Sequence, residues 1–312
     1  MGKQNLKIKE EKDSGFSTIV SGRFTNKDGR YNVKRKGVNI LNRYSWYHTF
    51  LLLPRFKFIG VWVIAYIIAN LIFASHIYAI GIDNLSGIYK SSPVREFVDV
   101  FFFSAQTFTT VGYGRIAPVG ALASFVATFE AFLGLLGFAI ATGLFYGRFS
   151  RPRAYLKFSE TAVVAPFEEG SAIMFRVASY KNNMLSEAEV NITAAIEENI
   201  DGKLVSKFYQ IEPTLKKINS FSLNWTLVHK IDSNSPFYGF SEDDFKNTDI
   251  ELIIMIKAFD EVFANTVVQR TSYITPEIVY GARFLPMYHS SEDNKTTILD
   301  LDKIDDYQVV KI

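Results

Sequence analysis

Residues 99–114 read DVFFFSAQTFTTVGYG, and this stretch decides the fold. It is too short to cross a bilayer, which takes about 20 apolar residues in a helix. It is also too apolar to sit comfortably in water. A short apolar helix followed by an irregular glycine-rich segment reaches membrane depth only where that segment is buried in protein or lines a water-filled space, since backbone groups left unsatisfied in lipid are costly. The stretch therefore reads as a re-entrant helix over 96–109 that delivers Thr110, Val111, Gly112, Tyr113 and Gly114 as irregular backbone.

Working outward, residues 59–80 (IGVWVIAYIIANLIFASHIYAI) carry no charge, and residues 121–145 (ALASFVATFEAFLGLLGFAIATGLF) carry one, Glu130. Each is long enough to span a hydrocarbon core about 30 Å thick. The first run starts too far into the chain, and is too long, to be a signal peptide. Basic residues flank the pair, Arg55 and Lys57 before the first and Arg148, Arg151 and Arg153 after the second, so the positive-inside rule puts both termini in the cytoplasm. Charge follows the same division. Residues 1–57 hold 13 Lys/Arg and 4 Asp/Glu, a net of +9, residues 58–145 a net of −1, and residues 146–312 a net of −6. With no cysteine, thiol catalysis and Cys-ligated metal centres are excluded, and none of the four histidines is spaced like a metal pair, so no histidine metal site is expected. We find no nucleophile, base and orienter set, no phosphate loop and no nucleic-acid motif, so the sequence does not read as an enzyme.

Between two spans, Thr-Val-Gly-Tyr-Gly has a physical reading. A potassium filter replaces the ion's hydration shell with stacked rings of backbone carbonyls. Gly112 and Gly114 can take backbone angles closed to residues with a Cβ and let four strands crowd together. Thr110, Val111, Gly112 and Tyr113 would then supply the potassium sites, with Tyr113 wedged outward against Phe102 and Phe103. One chain gives one filter strand, so a homotetramer is implied. On the inner span, Phe138 and Tyr146 are two turns apart and are the candidate gate, a ring of aromatics that dewets when narrow. Glu130, ionisable within a span, is read as support for the filter or as facing the cavity. Gly134 and Gly137 are candidate hinges, and Gly143 and Gly147 have a Gly-x-x-x-Gly spacing, with close helix packing as the competing explanation.

These motifs resemble the inward-rectifier potassium channel family, and the pore stretch most resembles its bacterial branch. The stretch from Arg23 to Val33 (RFTNKDGRYNV) is similar to a cytoplasmic strand motif of eukaryotic members. Trp225, HKID at His229 to Asp232, SPFY at Ser235 to Tyr238, and RFSRP at Arg148 to Pro152 match further family signatures. The resemblance implies a two-transmembrane α-helical pore with a re-entrant pore helix and an all-β immunoglobulin-like cytoplasmic sandwich. It also implies inward conduction gated by lipid or cytoplasmic ligands. Gln106 stands where eukaryotic members generally have a filter-bracing Glu, and Phe138 stands where strong rectifiers carry an acid. Block by magnesium or polyamine is therefore expected to be weak unless Glu130 or vestibule acids substitute.

The expected organisation is a basic arm (1–43), an interfacial slide helix (44–57), a pore domain (58–147, with outer helix 59–80, pore helix 96–109, filter 110–114 and inner helix 119–147) and a cytoplasmic β domain (148–312). Arg55, Lys57, Arg148, Arg151 and Arg153 would form a basic ring at headgroup level, each charge worth about 1 kcal/mol at an anionic leaflet. In eukaryotic members a similar ring binds phosphoinositides, and their additional basic positions fall here near Glu197 and Glu198. The loop 260–265 resembles the family's apex constriction, with Asp260, Glu261 and Ala264 as candidate lining residues. A weakly selective or non-rectifying cation channel and a membrane-anchored binding module stand as alternatives. The expected location is a prokaryotic inner membrane.

Overall fold

A computed structural model describes residues 22–37, 39, 45–200 and 203–312. Most of the segment expected as a basic arm, Tyr44 of the expected slide helix, and Asp201 and Gly202 lie outside the described residues. The chain divides into two compact units, one of the N-terminal segment up to Arg35 with Pro152–Ile312, the other Lys36–Arg151.

The second unit is helical. A short helix α1 (Trp46–Leu52) begins at Ser45, whose hydroxyl accepts the His48 N–H, and stops before Pro54. Helix α2 (Arg55–Ile80) then runs uninterrupted to Gly81. It starts four residues before the expected 59, because Pro54 sets the entry and Arg55, Phe56 and Lys57 form helix readily even though they are not all apolar. Helix α3 (Pro93–Phe108) likewise starts before 96, with proline at its first turn, where no amide hydrogen is needed. Helix α4 (Ala121–Phe149) starts later than the expected 119, since Gly120 takes a φ of 85° just ahead of it, and runs two residues past 147. Both α2 and α4 are long and apolar enough to cross a membrane. Two short strands, β1 (Leu85–Ser86) and β2 (Ala117–Pro118), pair antiparallel on either side of α3. Gly87 at φ 82° allows the closest approach, because a Cβ there would lie 1.8 Å from the Arg115 carbonyl oxygen.

The other unit is a β sandwich. Its strands are β3 (Leu156–Phe158), β4 (Ala162–Phe167), β5 (Gly170–Ser179), β6 (Leu185–Ile200), β7 (Lys203–Ile211), β8 (Lys217–Ser220), β9 (Asn224–Ile231), β10 (Ile250–Asp260), β11 (Asn265–Ile274) and β12 (Ile278–Tyr280). One sheet has the order β11-β10-β6-β7, with β8 also on β6; the other has β12-β4-β5-β3, with β9 also on β5. Ile173, Phe175 and Val177 of β5 meet Ile192, Leu252 and Ile254 in the core between them. The period-two alternation of a half-buried strand holds on β9 but not on β5, where both faces are covered. The reason is the chain after β12: Phe284 packs with Ala172 and Met174, and Met287 with Ala178, on the face of β5 turned away from the sandwich core.

The Arg23 to Val33 segment, similar to a strand motif, is here a tight turn with a single bridge between Thr25 and Tyr31. Side chains hold it instead. The buried carboxylate of Glu251 accepts the N–H groups of Phe24 and Thr25, each at 2.7 Å, and Arg23 makes a two-pronged ion pair with Glu277 at 2.9 and 3.1 Å.

Candidate functional site: the filter segment and its supports

The last turn of a helix leaves carbonyls without intrahelical partners. At the end of α3 the following segment supplies donors to them. The N–H of Thr110 donates to the Thr107 carbonyl at 3.0 Å, and those of Val111 and Gly112 donate to the Gln106 carbonyl at 2.9 and 3.3 Å. Three successive amides thus point to the same side, back into α3. The dihedrals agree: Thr110, Gly112 and Gly114 have φ of 59°, 53° and 77°, while Val111 and Tyr113 do not enter the left-handed region. Alternating hands turn successive peptide planes the same way, unlike a β-strand, whose carbonyls alternate. The amides of Thr110, Val111 and Gly112 are engaged by the helix, which leaves the carbonyls of these residues outside that set of bonds. Thr110 holds a left-handed angle without glycine's freedom, a conformation uncommon for a residue with a Cβ.

Such a strand offers closely spaced carbonyl oxygens and no side-chain charge, a lining suited to a dehydrated monovalent cation. The C-terminal end of α3, with its partial negative charge, lies at the base of the segment and favours a cation there. Gln106, singled out for its side chain, serves through its backbone carbonyl. An ion pair between Arg115, just after Gly114, and Asp99 on α3, at 2.8 Å, ties the outer end of the segment to its helix. The braces expected from sequence are at Gln106 and at Tyr113 against Phe102 and Phe103, and the pairing of Arg115 with Asp99 is not among them. Tyr113 shares a hollow of about 380 Å³ with Asp99, Phe102, Gln106 and Arg115. Phe103, the other aromatic expected beside Tyr113, is instead buried with Ala74, Ile77 and Leu85, because successive residues on a helix face different sides.

Glu130 is 0% exposed and does not face an open cavity. Its Oε1 is hydrogen-bonded with the hydroxyl of Ser104 on α3, and that hydroxyl also lies 3.2 Å from the carbonyl oxygen and 3.3 Å from Oδ1 of Asn70 on α2. One polar residue from each of three helices meets behind the pore helix. Asn70 was missed at the sequence level, although a lone carboxamide within an uncharged span was the available signal.

Phe138 and Tyr146 are 72% and 74% exposed in the single chain. Phe138 joins Trp62, Tyr66, Phe108, Thr110 and Gly134 around an apolar hollow of about 530 Å³ at the base of the filter segment. Gly134 and Gly147 are contact points. A Cβ on Gly134 would collide with the Phe108 carbonyl, and one on Gly147 would lie 2.9 Å from the Tyr47 hydroxyl of α1, whereas Gly143 has open space. Of the basic residues, Arg55, Lys57 and Arg151 are exposed, and Arg148 is turned inward, its guanidinium 5.0 Å from the centre of the Phe58 ring. Arg153 is also exposed and belongs to the β unit.

In the apex hairpin, Asp260 is buried. Its Oδ1 accepts the N–H groups of Val262 and Phe263 at 3.0 and 3.1 Å, so, against the expectation of an exposed lining acid, it is enclosed and closes the turn. Glu261 and Ala264 are exposed, Ala264 at a φ of 46°. Glu198, at a position read as a counterpart of lipid-binding bases, is paired with Lys207 at 3.0 Å.

Comparison with known proteins gives two family matches in chain order. Residues 58–151 match the profile described as ion channel, and residues 156–312 match that of the inward rectifier potassium channel C-terminal domain. The inward rectifier potassium channel Kirbac3.1 of Paramagnetospirillum magnetotacticum is 33% identical over 286 residues, covering 90% of this chain and 94% of that protein. The ATP-sensitive inward rectifier potassium channel 8 of Rattus norvegicus is 28% identical over 303 residues, covering 88% of this chain and 71% of that protein, and the Mus musculus protein matches to the same extent. Among solved structures, the sporulation control protein Spo0M of Bacillus subtilis matches 41% of this chain and 50% of its own, at 9% identity and a TM-score of 0.23.

Proposed function

The chain belongs to the inward-rectifier potassium channel family, and on that premise we propose that four copies assemble with residues 110–114 around one axis as the potassium-selective filter. It is a membrane protein and a potassium channel of this type, not an enzyme. The observation that carries the filter reading is the alternation of φ at Thr110, Gly112 and Gly114 together with the three amides bound to Gln106 and Thr107. Potassium ions at Thr110, Val111, Gly112 and Tyr113 would exchange hydration water for carbonyl oxygens.

The gate lies at Phe138 and Tyr146, whose exposed rings meet their copies in the tetramer. Lipid acts through Arg55, Lys57, Arg151 and Arg153, with anionic headgroups including phosphoinositides as the ligand class. Arg148 joins them only by leaving Phe58. Rectification is weak, because the cavity position is the apolar Phe138 and the nearby acid, Glu130, is enclosed. Magnesium or polyamine meets its exposed acid at Glu261 of the apex loop. Two spans with basic flanks put both termini on the cytoplasmic side of a prokaryotic inner membrane. Native mass spectrometry and planar-bilayer reversal potentials test this: a tetramer with a reversal potential that follows the potassium gradient supports it, and one that follows sodium equally contradicts it.

A further inference from the structure

Counting hydrogens at the buried Ser104 cluster leaves one missing. Asn70 Nδ2 donates to the Tyr66 carbonyl at 2.7 Å, which fixes Asn70 Oδ1 as the atom turned toward Ser104. Around the Ser104 hydroxyl are then Glu130 Oε1, Asn70 Oδ1 and the Asn70 carbonyl oxygen, all acceptors if Glu130 is ionised. A hydroxyl has one hydrogen. If it goes to Glu130, nothing bridges Ser104 to Asn70, and lone pairs face each other at 3.2 and 3.3 Å. Glu130 Oε2 is also buried with no hydrogen-bond partner among the described residues, a poor place for half of a carboxylate's charge.

We propose that Glu130 is held as the neutral acid, donating its hydrogen to Ser104, which passes its own to Asn70, so that one relay ties inner, pore and outer helices together. One added proton gives the Glu130–Ser104 contact a hydrogen of its own and frees the Ser104 hydrogen for Asn70. Glu130 O–H donates to Ser104 Oγ, the Ser104 hydroxyl donates to Asn70, and Oε2 becomes an uncharged carbonyl oxygen, far cheaper to bury. No compensating charge is at hand. On α2 the charged or titratable groups are Arg55 and Lys57 in the first turn, Tyr66, the exposed His76, whose Nδ1 pairs with the Ile72 carbonyl, and Tyr78. On α3 they are Arg95, Glu96, which accepts the Ser91 N–H, and Asp99, which is paired with Arg115. On α4 there are Tyr146 and Arg148, the latter five turns on and packed on Phe58. None of these is hydrogen-bonded or ion-paired to Glu130.

The relay matters to the filter because Ser104 and Gln106, whose carbonyl holds the Val111 and Gly112 amides, lie within one turn of α3. Ser104, Glu130 and Asn70 are therefore positioning residues. The proton stands on the cluster itself, whereas its consequence for conduction rests on the channel reading above.

Infrared difference spectroscopy of the reconstituted tetramer, wild type minus Glu130→Gln at neutral pH, separates the two. The expected result is loss of the carbonyl stretch of a protonated carboxyl group; loss of carboxylate bands instead overturns the proposal, whether or not the protein conducts. Flux supplies the second measurement. Glu130→Gln, whose amide can donate to Ser104, is expected to stay within about twofold of wild type, while Ser104→Ala and Glu130→Ala, which break the relay, lose about tenfold. If Glu130→Gln in an intact tetramer falls as far as Glu130→Ala, the positioning role is wrong.

Discussion

The carbonyl oxygen of Phe108 lies 1.9 Å from where a Cβ on Gly134 would be. The last residue of the pore helix is thus seated on the inner helix at a point that only glycine allows. Gly134→Ala is expected to force the two apart, at about 1–3 kcal/mol or more for overpacking. Gly137→Ala meets only the rim of the Phe108 ring at 3.8 Å, and gains helix propensity. Melting of the solubilised tetramer checks the pair: it falls by several degrees for Gly134→Ala and is unchanged or higher for Gly137→Ala.

Arg115 and Asp99 meet at 2.8 Å, but the arginine side chain is 65% exposed. Such a pair is worth about 0–1 kcal/mol to stability, so Asp99→Asn leaves melting nearly unaltered. Its expected effect is on the outer end of the filter, as a lower ratio of rubidium to sodium flux. An unchanged ratio removes this pair from the filter's supports.

His229 is buried in the β sandwich with both ring nitrogens engaged. Nδ1 donates to the Glu212 carbonyl at 2.8 Å, and Nε2 accepts the Ser235 hydroxyl at 2.8 Å. Burial pushes its pKa below the ordinary imidazole value. Since the unfolded chain binds the proton first, at about pH 6.5, the stability from neutral His229 is complete above that pH and is lost as pH falls below it. Melting temperature should drop between about pH 7 and pH 5, with a shallower slope in His229→Gln.

Glu251 accepts two backbone amides, so Glu251→Ala strands two donors, at about 1–3 kcal/mol each where they stay buried. Hydrogen exchange at Phe24 and Thr25 is expected to speed up markedly. Exchange unchanged from wild type would mean that Arg23 and Glu277 suffice to hold the segment.

The two long apolar helices and the short helix between them were legible because charge-free and apolar runs are local signals, and the Thr-Val-Gly-Tyr-Gly motif marks the irregular segment after the short helix. Helix ends were less so, since hydropathy marks where charge begins and α2 continues through Arg55 and Lys57 to Pro54. What the sequence hides is partnership across distance. Ser104 lies 26 positions from Glu130 and 34 from Asn70, and no spacing rule joins three helices. Asp260 and Glu261 stand as candidate cation-concentrating acids through the resemblance of the loop 260–265 alone, with an ordinary hairpin turn as the competing reading, and a carboxylate that begins a tight turn can bind the turn's own amides, as Asp260 does here.

The central claim, that residues 110–114 select potassium, is tested most directly by rubidium uptake into liposomes carrying the purified protein, under potassium and sodium gradients in turn. Uptake driven by potassium alone, stopped by barium and absent in a tetrameric Gly112→Asp variant is the result this account predicts. Equal uptake under both gradients, or uptake that survives Gly112→Asp, would contradict it.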